Sequence, residues 1–78
     1  MYVGIKQVYP KDDYVLLIVF ENNEKRVFDV KPYIEIGRLE ALKEPAVFKA
    51  VRVSFDTIEW PNEIDMDPEA VYQASVPI

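Results

Sequence analysis

Histidine and cysteine are both absent from this chain of 78 residues. Without them no Ser–His or Cys–His nucleophile pair can form, and a tetrahedral zinc site lacks its usual nitrogen and sulfur ligands. No remaining side chain has an unperturbed pKa between about 5 and 8. The lack of cysteine also excludes disulfides, which fits a reducing compartment. We therefore expect a protein that is not an enzyme, with no catalytic residues, no metal and no cofactor.

Long apolar segments are missing as well. The longest run, Tyr14 to Phe20, has seven residues, whereas a membrane-spanning helix needs about 20. The N-terminus, MYVGIKQVYPKDD, has no basic start followed by an apolar stretch, so no signal peptide is expected. Half of the residues are apolar, which argues against disorder. We expect a soluble, cytoplasmic protein with a single small domain over residues 1–78.

Charge is distributed unevenly along the chain. Residues 1–52 contain nine basic and eight acidic residues, a net charge of +1. Residues 53–78 contain no basic residue and six acidic ones, which are Asp56, Glu59, Glu63, Asp65, Asp67 and Glu69. Nucleic-acid binding normally requires a basic face, so direct binding of nucleic acid is not expected. A partner protein with a basic surface suits the acidic third better.

The first half of the chain has the pattern of three strands. Val3 to Tyr9 is predicted to be a strand, and Pro10 to Asp13 a turn. The continuous apolar run from Tyr14 predicts a central strand that is covered on both faces. Asn22-Asn23 suits a two-residue hairpin turn before a third strand over Lys25 to Val30. The bases at the start of that third strand are typical of a charged edge that discourages aggregation.

The second half combines short helices with a hairpin. Prolines predict helical turns over Pro32 to Ile36 and Pro45 to Ala50. The alternation of Val51, Val53 and Phe55 predicts a strand with one wet face. The remaining predicted elements are a turn at Asp56-Thr57 and a strand over Ile58 to Trp60. They are followed by a helix that Asp67 caps before Pro68, and by a tail over residues 75–78.

These elements predict an α+β fold. Its expected form is a small, mainly antiparallel sheet of about five strands in the order β-β-β, short helices, β-β, short helix. The predicted core combines the apolar run with the apolar positions on either side of it, namely Leu16, Ile18, Phe20, Phe28, Leu42, Phe48, Val53 and Trp60.

The candidate partner-binding residues come from the acidic third: Asp56, Glu59, Trp60, Glu63 and Asp65. Tryptophan is enriched at interface hot spots, although one in so small a domain more often covers the core. Alternating acids at Glu63, Asp65 and Asp67 would lie on one side of an extended segment, where they could bind Mg²⁺ or Ca²⁺. Asp67 is expected to cap a helix, and the spacing of an EF-hand is absent, so we favour a structural role for these acids over metal binding. The alternative is that these acids have no binding role and only keep a small domain soluble.

One succession of residues resembles a known family. It runs from Val-Phe-Asp29-Val-x-Pro32 through Gly37, Leu42, Pro45, Phe48 and Val51-x-Val53 to Ile58-x-Trp60-Pro61-Asn62, Asp65 and Tyr72. This is similar to the bacterial domain-of-unknown-function family 2442 over nearly the whole chain. The resemblance implies a small α+β domain without an established activity. It also implies a partner, because relatives often occur beside a second small protein in arrangements like toxin–antitoxin pairs.

The chain departs from that family at two positions. Asn22-Asn23 replaces a turn that usually ends in Gly, and Glu63 stands where Gly usually follows Trp-Pro-Asn. Some relatives also carry a helix-turn-helix segment that is not expected here, which weakens the case for direct DNA regulation.

Three functional readings follow. The first is a non-catalytic protein-interaction or regulatory module, the partner of a neighbouring small basic protein in a toxin–antitoxin-like pair. The second is a minimal metal-dependent hydrolase that uses Asp29, Asp65 and neighbouring acids. The third is a structural homo-oligomer that pairs exposed sheet edges.

Overall fold

The computed structural model describes residues 3–61 and 63–78, with the side chains of these residues other than Arg38. Asn62 of the Trp-Pro-Asn motif therefore lies outside the described residues. The chain has the predicted α+β fold with antiparallel strands. The described residues form two separate sheets, which contain seven strands instead of about five.

The elements have the following bounds. The strands are β1 (Ile5–Lys11), β2 (Val15–Phe20), β3 (Lys25–Asp29), β4 (Arg52–Ser54), β5 (Thr57–Trp60), β6 (Ile64–Met66) and β7 (Val76–Pro77). The helices are α1 (Lys31–Ile34), α2 (Pro45–Phe48) and α3 (Pro68–Ala74), with 3₁₀ turns at Asp12–Tyr14 and Gly37–Lys43. One sheet has the order β1-β2-β3-β7 and the other the order β4-β5-β6. Every helix in the described part of the chain is too short or too polar to cross a bilayer.

The turn between β1 and β2 lies later than predicted. β1 continues to Lys11, with Pro10 opposite Leu16, so the expected turn at Pro10 to Asp13 was wrong in its first half. Proline is tolerated there because β1 is an edge strand, where a missing N–H need not break the ladder. The chain reverses at Asp12–Tyr14, and Asp13 and Tyr14 have left-handed φ values of 64° and 60°.

The turn between β2 and β3 is also longer than predicted. The Phe20 N–H donates to the Glu24 carbonyl at 2.9 Å, and the Asn23 N–H donates to the Phe20 carbonyl at 2.8 Å. The loop is therefore Glu21–Asn23 instead of a two-residue turn at Asn22-Asn23. Asn23 has φ 68°, a left-handed conformation that asparagine adopts more readily than most residues.

The core lies between the two sheets and under the short helices. It contains Ile5, Leu16, Ile18, Phe20, Phe28, Val30, Ile34, Leu42, Phe48, Ile58, Trp60, Ile64 and Val71. The predicted core is confirmed apart from Val53, which is 36% exposed. Val53 lies beside buried Ile58, but β4 is an edge strand of the small sheet and nothing covers Val53 fully.

The C-terminal residues are paired, although a tail was expected for residues 75–78. Val76 lies opposite Val27, and Pro77 lies opposite Arg26. The Arg26 guanidinium donates to the Ser75 hydroxyl at 2.8 Å and to the Ser75 carbonyl at 2.9 Å. Its side chain is only 13% exposed. Arg26 therefore fixes the C-terminal segment and is not the charged edge that its position suggested.

Glu24 and Tyr72 complete this C-terminal network. The Glu24 carboxylate accepts hydrogen bonds from the Tyr72 hydroxyl, from Asn22 Nδ2 at 2.6 Å and from Arg26 at 3.0 Å. The Arg26 guanidinium also lies 4.3 Å from the centroid of the Tyr72 ring, which gives a cation–π contact. The bond from Tyr72 is the main cause that lowers the pKa of Glu24, and the same bond raises the pKa of Tyr72.

These opposite shifts predict a pH dependence of stability. The pKa of Glu24 is lowered from 4.5, so its contribution is present above that value and is lost as the pH falls through the folded pKa. The pKa of Tyr72 is raised from 10.0, so its contribution is present below that value and is lost as the pH rises through the folded pKa. The melting temperatures of the wild type and Tyr72→Phe should therefore differ most between these limits and converge outside them. A difference that stays constant from acid to alkaline pH would contradict this.

Candidate functional site

The candidate residues of the three-stranded sheet lie on its two opposite faces. Register places Arg52, Glu59 and Asp65 in one row across its three strands. The alternate positions face inwards, and Trp60 is one of them. Trp60 is 2% exposed, and its indole N–H donates to the Phe48 carbonyl at 3.0 Å. The tryptophan therefore belongs to the core, and the acids are left to form the accessible surface.

Glu59 is neutralised within the sheet. Arg52 Nε and one of its terminal nitrogens donate to Glu59 Oε1 at 3.1 and 2.7 Å. Arg52 lies just before the acidic third of the sequence, so it was not included in the charge of that segment. The β4–β5 hairpin nevertheless places Arg52 opposite Glu59. Glu59 consequently contributes less to an acidic surface than the sequence indicated.

Asp56 lies apart from the other candidate acids. It is in the turn before β5, whereas Glu63 lies in the turn after β5. The Asp56 carbonyl accepts a hydrogen bond from the Ile5 N–H at 2.8 Å. A Cβ at Gly4 would lie 3.1 Å from Asp56 Cβ, so a larger residue at position 4 would fit only if Asp56 moved by a few tenths of an ångström. Asp56 thus joins the two sheets.

The remaining acids surround a shallow groove. Glu63, Asp65 and Asp67 line a depression of about 250 Å³ together with Leu39, Ile64 and Met66. Asp67 also caps α3 as predicted, because its carboxylate accepts a hydrogen bond from the Glu69 N–H at 3.3 Å. We call this depression the acidic groove. Its lining combines three acidic residues with three apolar ones.

The chemistry of the acidic groove suits a long basic side chain. The stem of a lysine or arginine packs against apolar groups while its charged end stays near carboxylates. Among the described residues, no group of three or more acids is arranged to hold a metal ion. Asp29 and Asp65, which the hydrolase reading combines, lie in different sheets, and Asp29 is paired with Lys31 at 3.0 Å.

Glu63 occupies a backbone position that favours glycine. Its φ is 60°, in the left-handed region, which costs an L-residue roughly 1–2 kcal/mol. This is the position at which the resembled family usually has Gly. The substitution places a carboxylate on the acidic groove at the expense of backbone strain.

A second depression, of about 220 Å³, lies beside the 3₁₀ turn Asp12–Tyr14. Its lining includes two acids and two lysines, Asp12, Asp13, Lys11 and Lys49. Lys49 approaches Asp12 at 3.9 Å, and Lys31 pairs with Asp13 at 3.2 Å. The balanced charge of this depression favours neither a basic nor an acidic ligand.

Sequence reasoning missed one prominent surface residue. Phe55 is 97% exposed and has φ 49° in the turn that joins β4 and β5. The turn was predicted at Asp56-Thr57, but Ser54 pairs with Thr57, so Phe55 and Asp56 form it. The apolar alternation that starts at Val51 continues to Phe55, one residue beyond the end of β4. The pattern of apolar residues therefore does not indicate that Phe55 leaves the strand.

Comparison with known proteins gives a family match. The model of a family described as protein of unknown function (DUF2442) matches residues 5–77. No curated protein and no solved structure matches the chain.

Proposed function

The chain belongs to this family of proteins of unknown function, and from that premise we propose that it is a non-catalytic protein-interaction module. Its acidic groove binds a lysine or arginine from a basic partner protein. The observation that carries this proposal is the position of Glu63, Asp65 and Asp67 around a depression that also has apolar lining.

The distribution of charge also supports the acidic groove as the binding surface. None of the nine basic residues lies after Arg52 in the sequence, and Arg52 itself is paired with Glu59. Three of the residues that line the acidic groove are acidic, a composition that favours a basic partner surface. Association steered in this way should slow as salt rises, because exposed charges are screened beyond about 10 Å at 0.1 M ionic strength.

The absence of histidine and cysteine supports a non-catalytic role, since the common nucleophile pairs need one or both. The family resemblance supplies a class of partner, a small protein encoded beside this one in a toxin–antitoxin-like pair, and the acidic residues of this chain imply that the partner's surface is basic. A lysine or arginine on such a protein matches both the charge and the apolar lining of the acidic groove.

The test uses two double variants with equal total charge. Glu63→Gln with Asp65→Asn changes the acidic groove, and Glu21→Gln with Glu40→Gln changes two exposed acids elsewhere. Each double variant raises the net charge from −5 to −3. Glu59 is left unchanged because its removal would leave Arg52 without its partner. The partner would be isolated from the native host and its affinity for each variant measured by titration at several salt concentrations.

We expect the groove variant to bind roughly 2–30-fold more weakly, since each of the two exposed charge pairs contributes about 0.2–1 kcal/mol. Its salt dependence should also be shallower. The matched variant should bind like the wild type. Equal affinity and equal salt dependence in both variants would refute the proposal. Loss of binding on changing Lys43 or Lys49 would indicate an acidic partner instead.

A further inference from the structure

The acidic groove follows the edge of a strand. The described residues that line it are the consecutive residues 63–67 and Leu39. Side chains of an extended segment alternate between the two faces of a sheet, so a depression on one face would touch only every second residue. A depression lined by consecutive residues therefore lies along the backbone edge of β6. β6 is an outer strand of the three-stranded sheet, and no other strand of the described residues pairs with this edge.

The β4–β5 hairpin fixes the hydrogen-bond pattern of the three-stranded sheet. Its turn has two residues, Phe55 and Asp56, with left-handed φ values of 49° and 68°. Two such residues form a type I′ turn, whose flanking residues are joined by backbone hydrogen bonds. Ser54 and Thr57 are that bonded pair. Each later residue of β5 therefore alternates between bonding towards β4 and bonding towards β6.

This alternation leaves the backbone of Asp65 facing the groove. Thr57 bonds towards β4, so Ile58 bonds towards β6 and Glu59 bonds again towards β4. Asp65 lies opposite Glu59. Its N–H and C=O consequently point away from β5 and into the acidic groove. Outside the strand ladders, the backbone hydrogen bonds of the described residues do not involve Asp65.

The other outer strands are less open to pairing. β1 contains Lys6, Pro10 and Lys11 and has a register shift near its start, and β7 has only two residues, of which one is proline. Lysine, proline and bulges are the usual devices that protect a sheet edge. β4 contacts β1. β6, whose three residues are all described, has neither lysine nor proline and pairs without a register shift.

Charge determines which strand can pair with the edge of β6. Two copies of the chain that paired through strands centred on Asp65 would bring two exposed carboxylates together, which is destabilising. A strand with lysine or arginine opposite Asp65 would form an opposite-charge pair instead. Ile64 and Met66 face the other side of the sheet and line the groove with Leu39, so they offer apolar neighbours to the residues on either side of that base.

We propose that the basic partner adds an extended segment to the edge of β6, with an apolar–basic–apolar sequence whose base lies opposite Asp65. This inference rests on the proposed function and specifies how the partner binds. Main-chain hydrogen bonds to Asp65 hold the segment, and its alternate side chains give specificity. Attraction between charges alone would need no backbone contact, and this difference separates the two ideas by experiment.

The experiment titrates two peptides into the isotope-labelled full chain at low salt, followed by nuclear magnetic resonance. The first is an acetylated and amidated pentapeptide, Lys-Val-Lys-Val-Lys. The second has the same sequence with N-methyl groups on the backbone nitrogens of all three lysines, which keeps the charge but removes the donors that pair with β6. Asp65→Asn removes the central carboxylate, and Glu21→Gln is the matched control, an exposed acid in a loop of the other sheet.

The unmodified peptide should bind and should slow hydrogen exchange at the Asp65 amide. Exchange at Glu59, whose N–H already bonds towards β4, should not change. The N-methylated peptide should bind at least roughly fivefold more weakly, because it loses backbone hydrogen bonds. Asp65→Asn should weaken binding of the unmodified peptide by roughly 1.5–5-fold, as expected for one exposed charge pair, and Glu21→Gln should leave it unchanged.

Equal affinity for the two peptides, with weaker binding of both to Asp65→Asn, would overturn strand addition and leave the binding of a basic partner in place. A failure of the unmodified peptide to bind at about 5 mM would also overturn strand addition. The proposed function would still be decided separately, by its own titration with the native partner. Slower exchange at Asp65 on raising the protein concentration alone would overturn strand addition by a partner, since the occupant would then be a second copy.

Discussion

Replacing Phe48 with alanine is expected to unfold a large fraction of the protein at 25 °C. Phe48 is 2% exposed, and its ring lies edge-on to that of Tyr14 with 5.2 Å between centroids and 6.4 Å from that of Trp60. Truncating a buried phenylalanine to alanine costs about 3–5 kcal/mol, because the transfer free energy is lost and a cavity remains. A domain of this size has only about 3–5 kcal/mol of stability. Urea denaturation followed by the fluorescence of Trp60 would measure the change.

Val53→Ala provides the control for that experiment. Val53 is apolar and was also predicted to be in the core, but its greater exposure means that little buried area is lost. Its truncation should cost less than about 1 kcal/mol. Should Phe48→Ala remain folded and melt within a few degrees of the wild type, the position of Phe48 at the centre of the core would be wrong.

Arg26→Met is expected to release the C-terminal strand and to lower the free energy of unfolding by about 2–3 kcal/mol. Methionine keeps most of the aliphatic stem but removes the bonds to Ser75 and Glu24. The Ser75 carbonyl and the Glu24 carboxylate would each lose a donor in a partly buried setting. Amide hydrogen exchange should report this as faster exchange at Ser75 and Ile78, whose N–H groups donate to Val71 and Lys25.

Lys25→Met separates this effect from the loss of a charge. Lys25 is the neighbouring base in β3, and it is exposed. Both substitutions remove one positive charge from the same strand. Arg26 bonds to the C-terminal segment through its side chain, whereas Lys25 does so through its backbone carbonyl, which the substitution keeps. If both variants accelerated exchange at Ile78 to the same extent, the network around Arg26 would have no special role in holding β7.

Features that depend on neighbouring residues were read correctly from the sequence. The apolar run of β2 identified the central strand, since burial requires apolar side chains on the covered face. Asp67 before Pro68 identified the start of α3, because the cap and the fixed proline φ both act within one turn. Local composition also gave the α+β class and nearly all of the predicted core.

Turn positions were predicted less well because they depend on strand pairing. Two residues with left-handed φ, Phe55 and Glu63, occupy turns without any glycine to mark them. Their conformations are imposed by the registers that place Ser54 opposite Thr57 and Trp60 opposite Ile64. Nothing in the neighbouring residues specifies such a register, since it is fixed by the burial of whole strands.

The candidate site, too, was determined partly by the sequence and partly by the tertiary structure. The sequence by itself determined that residues 53–78 contain six acidic residues and no basic one. Only the tertiary structure decided that Arg52 neutralises Glu59, that Trp60 faces the core, and that Glu63, Asp65 and Asp67 share one groove. The physical reason is that charge is a property of the residues present. Whether a charge is paired, buried or exposed depends on which residues distant in sequence the sheet registers bring together.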